Sequence, residues 1–96
     1  MKKFMFIYHG FTEPTSENKD AWMKWFGEIG GNLVDSGNPF GQGREVTLTG
    51  RQDLPMGADA ASGYTIVNAE SMEAAEKLLE NCPIETSVRI YEAMAM

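Results

Sequence analysis

Few side chains in this sequence are equipped for chemistry. His9 is the only imidazole in the 96 residues, and it closes an aromatic and apolar run, residues 3–9, that Gly10 ends. A residue at the carboxyl end of a strand can project into a cleft at the sheet edge, where an imidazole takes or gives a proton near neutral pH. The plainer alternative is a histidine that finishes a strand and hydrogen-bonds to a loop. Asp35 is expected just past the end of a helix, where a carboxylate meets the unfavourable pole of the helix dipole and needs a partner. Arg44, at the start of an expected strand, can be that partner. His9 and Asp35 are therefore candidate catalytic residues, and Arg44 a candidate ligand-binding residue, in one acid/base or anion-holding group. Asp35 can instead form a turn by bonding Gly37 or Asn38. Trp22, Trp25, Phe26, Phe40 and Tyr64 can line a pocket for an apolar or aromatic small molecule between helix and sheet. The same aromatic stripe at helical spacing also describes a core.

Other chemistries find less support. Cys82 precedes Pro83 with only Lys77 nearby to lower its pKa, which describes an inert buried thiol. Gly37, Gly41 and Gly43 match neither a phosphate loop nor a dinucleotide fingerprint. One His, one Cys and scattered acids give no metal-ligand spacing, so neither metal nor cofactor is expected. Glu13 and Glu17 read as charges at a helix N-terminus. Eight basic against fourteen acidic residues leave a net charge of -6 with no basic cluster, which disfavours nucleic acid and anionic membrane as partners. The opening Met1-Lys2-Lys3 precedes only five apolar residues, too few for a signal peptide, and no run approaches a membrane span. With a single cysteine, a reducing cytoplasm is the expected compartment.

These side chains depend on a short series of elements. Residues 3–9 form a strand apolar on both faces, with Phe4, Phe6 and Tyr8 on one side and Met5, Ile7 and His9 on the other. Thr12, Thr15 and Ser16 are N-cap candidates, and Pro14 fits a helix start. Residues 17–34 carry Trp22, Trp25, Phe26, Ile29 and Leu33 on one helical stripe, though Gly27, Gly30 and Gly31 weaken its second half. A loop over 35–43 leads to a strand over 44–49 with Val46 and Leu48 inward, then to a long hairpin connection over 50–62. Residues 63–68 form a strand. Ser71 caps a helix over 72–81 whose buried stripe is Met72, Ala75, Leu78, Leu79 and Cys82, and Pro83 stops it. The last strand is 86–93. The order β-α-β-β-α-β describes one α+β domain over 1–96, with an antiparallel sheet of ferredoxin-like order 4-1-3-2 and both helices on one face. Strand 1, and strand 3 with Tyr64 and Ile66 opposite Thr65 and Val67, are apolar on both sides. The uncovered side calls for a second copy, giving a homodimer whose sheets pack face to face.

The opening KFMFIYHG, the segment GYTIVNAESMEAAEKLLENCP and the ending VRIYEAM resemble the YCII-related family over nearly the whole chain. The resemblance implies a dimeric α+β barrel of the ferredoxin-like type. In some relatives a His in the first helix and an Asp are proposed as a catalytic pair; the first helix here carries Asp20, Trp22 and Trp25 but no His, so the pair is not carried over. The expected function is a small-molecule-binding protein or an enzyme with a proton-transfer or hydrolytic step in a cleft near His9, with 50–62 as a lid. The alternative is a non-catalytic structural or regulatory dimerisation module.

Overall fold

Strict alternation in two strands and a single apolar stripe on each helix leave this chain one economical arrangement, and the computed structural model, which describes residues 1–10 and 15–95, has it. Strands β1 (Lys2–His9), β2 (Leu33–Asp35), β5 (Ala61–Ala69) and β6 (Ser87–Ala93) form a four-stranded sheet in the order β2-β5-β1-β6, with every pair antiparallel. Helices α1 (Ser16–Glu28) and α2 (Met72–Lys77) contribute to one core with it. The fold is α+β. Strands β3 (Gly43–Thr47) and β4 (Gly50–Leu54) stand apart as a two-stranded hairpin. The expected Thr12 cap, Pro14 helix start and Glu13 charge fall outside the described residues.

The core lies between the helices and one face of the sheet. Register places Phe4 opposite Val67 and Phe6 opposite Thr65, so these four share a face, and all are buried. Trp25 and Ile29 of the α1 side and Ala75 of α2 close over them. Burying Trp25 strands its indole N–H unless it finds an acceptor, and Nε1 donates to the Leu78 carbonyl at 2.7 Å. Thr65 meets the same demand: its hydroxyl accepts from the Tyr8 hydroxyl at 2.6 Å and donates to the Ser36 carbonyl at 3.0 Å. Both helices begin on capped ends, with Thr15 accepting from Asn18 N and Ser71 from Ala74 N.

Three expected boundaries are corrected. Helix α1 stops at Glu28 rather than at 34; a 3-10 turn, Gly30–Asn32, follows, and Leu33–Asp35 is an edge strand. Two consecutive glycines disfavour continued helix, whereas Leu33 gains Val67 as a cross-strand neighbour. That edge is prolonged beyond β2, because Tyr64 N bonds the Asn38 carbonyl and Phe40 N the Ser62 carbonyl. The place expected for 44–49 in the sheet is thus already taken. Residues 43–47 instead make β3, paired with β4 inside the stretch expected to be loop, and Val46 on the strand and Leu48 in the turn are 75% and 106% exposed. Helix α2 ends at Lys77, after which i to i−3 bonds tighten the chain through Cys82; Met72 is exposed and leaves the stripe to Ala75, Leu78, Leu79 and Cys82.

The second face of the sheet carries Met5, Ile7 and His9 of β1, Tyr64 and Ile66 of β5, and Arg89 and Tyr91 of β6. No helix covers it. The single acid on these three strands, Glu92, pairs with Phe4 and so belongs to the helix side.

Gly37 makes the turn that lets the edge run on. Its φ is +79°, and a Cβ there would overlap the Tyr64 carbonyl oxygen. Gly37→Ala is expected to lower stability by about 1–3 kcal/mol in urea unfolding. Gly41→Ala, where an added Cβ meets nothing within 4 Å, should stay within about 0.5 kcal/mol of the parent.

Candidate functional site

His9 is the last residue of β1, paired with Ala61 on one side and Ser87 on the other, at a register irregularity that follows Tyr8. Gly10, at φ +101°, turns the chain away immediately after it, and its N–H bonds the Ala60 carbonyl at 2.9 Å. The imidazole Nδ1 lies 3.2 Å from the Asp59 carbonyl oxygen. A carbonyl only accepts, so Nδ1 carries the proton in that bond, and in the neutral ring Nε2 is left with its lone pair. That is the tautomer of a proton acceptor.

Beside His9 is an open cleft of about 690 Å³. Its walls are the two roots of the hairpin and the segment that returns to β5, with Phe40, Arg44, Leu54, Met56 and Asp59 among the lining residues. Among the described residues the lining is mostly apolar, with Arg44 its one cation. Arg44 Nε donates to Asp53 Oδ1 at 2.8 Å across the hairpin. Side-chain exposures of 48% and 70% leave this pair in solvent, where it contributes under about 1 kcal/mol to stability. The pair orients the guanidinium, and its remaining N–H groups are free to meet a polar or anionic group.

The expected group of His9, Asp35 and Arg44 is only partly assembled. His9 and Arg44 share the cleft, and Phe40 joins them. Asp35 does not line it; its Oδ1 accepts from Gly37 N at 2.9 Å, the turn-forming role. Arg44 takes Asp53 as its partner instead.

Register separates the aromatic residues expected to line one pocket between helix and sheet. Tyr64 alternates with the buried Gly63 and Thr65, so its ring lies on the open face, while both tryptophans belong to the helix side. Trp25 fills the core, and Trp22 packs edge-on against Tyr8 with ring centroids 4.8 Å apart. Phe40 and Tyr64 do meet, stacked at 5.7 Å, on the other side of the sheet. Asp53, Leu54, Met56 and Asp59 were missed as site residues. The only signal for Asp53 is that it lies opposite Arg44 once 50–54 is read as a strand.

Among the described residues no cluster of three or more His, Cys, Asp or Glu is arranged to hold a metal, and no helix is long and apolar enough to cross a membrane. Cys82 has its thiol pushed up to about 12 by burial, which keeps it protonated and poorly nucleophilic at neutral pH. Burial also pushes the Tyr8 hydroxyl up, against the opposing hydrogen bond to Thr65.

Both groups hold their protons to higher pH folded than unfolded. The stability this confers is complete below about pH 9, the ordinary thiol value, and is lost as pH rises toward 12. Urea midpoints measured across this range should fall from about pH 9. In Cys82→Ala the fall should begin nearer the ordinary phenol value of about 10. Comparison with family models, curated proteins and solved structures finds no match for this chain.

Proposed function

We propose that this chain is a homodimeric small-molecule-binding protein, ferredoxin-like in topology, that holds its ligand in the cleft beside His9. The observation that carries the reading is His9 itself: its Nδ1 is within hydrogen-bonding distance of the Asp59 carbonyl, beside a mostly apolar cleft whose one cation among the described residues is Arg44. Such a cleft suits a molecule with an apolar body and a polar or acidic head. Nε2 accepts a hydrogen bond or a proton from the ligand, and Arg44 meets the head. Of the two chemical steps considered, proton transfer fits better than hydrolysis, because the carboxylate expected to assist His9, Asp35, is occupied in its own turn.

The dimer is supported by the open sheet face. Met5, Ile7, Tyr64 and Ile66 are only half-buried there, with Arg89 of β6 on one edge of the face and Asp35 of β2, the cross-strand partner of Ile66, on the other. An apolar centre with its charges at the rim is the pattern of an interface. A second copy meeting this face with its own closes two sheets over one core, the dimeric barrel that the YCII-related resemblance implies. On its lone thiol we place the protein in a reducing cytoplasm.

A non-catalytic dimerisation module is the second reading. It is favoured by the backbone bond of His9 and by the closed packing around Trp25.

Sedimentation equilibrium at micromolar concentration should give twice the 10.6 kDa chain mass for the parent, and the chain mass for Ile66→Asp. Ligand-observed NMR against a library of small carboxylates, phenols and amines should yield binders for the parent that are lost in His9→Ala. A parent that binds none of them, or binders indifferent to His9, would support the module instead.

A further inference from the structure

The β3–β4 hairpin has no visible support. Two-stranded hairpins alone in water are marginally stable and need a third strand or a packed face. Among the described residues this one barely touches any other element. Val46 is 75% exposed and Leu48 106%, although both are residues that favour burial, and Leu54 and Met56 at its root are exposed above 40%. The chain as a whole is correspondingly flat, 41 × 39 × 18 Å, and its radius of gyration of 14.4 Å exceeds the roughly 12.5 Å of a compact domain of this length. These are the dimensions of a part that is completed by something else.

We propose that the hairpin is an arm that lies against a second copy of this chain. The proposal rests on the homodimer read above and adds a contact to it. Area points to the occupant. Four strands about 4.8 Å apart, β2 of 3 residues and the others of 7 to 9, span a projected face of roughly 430 Å², small for an interface that buries roughly 800 Å² of accessible surface per partner. The sheet face alone falls short, and the hairpin supplies apolar surface continuous with it: residues 38–40 run along β5, Phe40 stacks on Tyr64 of the open face, and β3 begins three residues later. Charge agrees. Arg44 and Arg51 balance Glu45 and Asp53, so the arm is neutral on a chain of net charge -6 and approaches another acidic copy without the repulsion its body meets. Because the hairpin roots wall the His9 cleft, an arm held by the partner also holds the position of Arg44 and Leu54.

The test is the dimer dissociation constant, from sedimentation equilibrium, of the parent and of the V46D/L48D double variant. Both substitutions are at exposed positions of the single chain, so the far-UV circular dichroism should be unchanged while the dissociation constant rises at least tenfold. In a second experiment, Leu48→Cys on a Cys82→Ala background, labelled with a benzophenone, should photo-cross-link into a species of twice the chain mass. A dimer whose constant is unaltered by V46D/L48D, or cross-links confined to one chain, overturns the arm and leaves the sheet-face dimer standing. A monomeric parent overturns both.

Discussion

A sheet with apolar side chains on both faces, and helices enough for only one, is the constraint from which the rest of this structure follows. Phe4 and Phe6 of the central strand disappear beneath Trp25, Ile29 and Ala75, while Met5 and Ile7, one residue along, look away from both helices. No adjustment of α1 or α2 can serve the two sides at once. The order β2-β5-β1-β6 keeps β1 and β5 in the middle of the sheet, so the uncovered apolar residues are concentrated there rather than at an edge. Small domains have little hydrophobic surface to spare, and leaving this much in water would consume stability the chain can scarcely lose.

The covered side has little slack. Its two polar obligations, the Trp25 indole and the Thr65 hydroxyl, are met by backbone carbonyls of Leu78 and Ser36, which ties α1 to the end of α2 and the edge turn to the central strand. No buried side-chain nitrogen or oxygen is left without a partner among the described residues. This packing stops at the end of β1. The chain there turns at Gly10, the hairpin departs from the edge strand, and the segment before β5 returns. His9 stands at that junction, held by one backbone bond.

The elements buried on one or both faces were readable in the sequence. The apolar runs 3–9 and 63–68 read as the strands β1 and β5, although nothing in them says which face meets the helices, and Ser71 marks the start of α2. The errors have a common cause. Val46 and Leu48 alternate with polar neighbours as they would in a half-buried strand, and the pattern carries no information about whether the apolar side meets the chain's own core or something outside it. Gly30-Gly31 was seen to weaken α1, but that Leu33–Asp35 would then take the edge of the sheet depends on its pairing with β5, which is remote in sequence. The candidate site suffered in the same way. The helix dipole argument offers Arg44 as partner to Asp35, whereas Arg44 meets Asp53, on a strand within the stretch expected to be a connection. The two tryptophans and Tyr64 were placed in one pocket because each is aromatic and near a helix or strand, whereas strand alternation puts them on opposite sides of the sheet.

Solvent exposure of the second sheet face in solution is the most direct measure of this account. With a soluble paramagnetic agent added to the protein, relaxation enhancements at the Met5 methyl and at the δ1 methyls of Ile7 and Ile66 should be small, comparable to those of core methyls such as Val67. Enhancements as large as those of the exposed Met1 and Met94 would show that face bathed in water, and the account of why this fold takes its form would be contradicted.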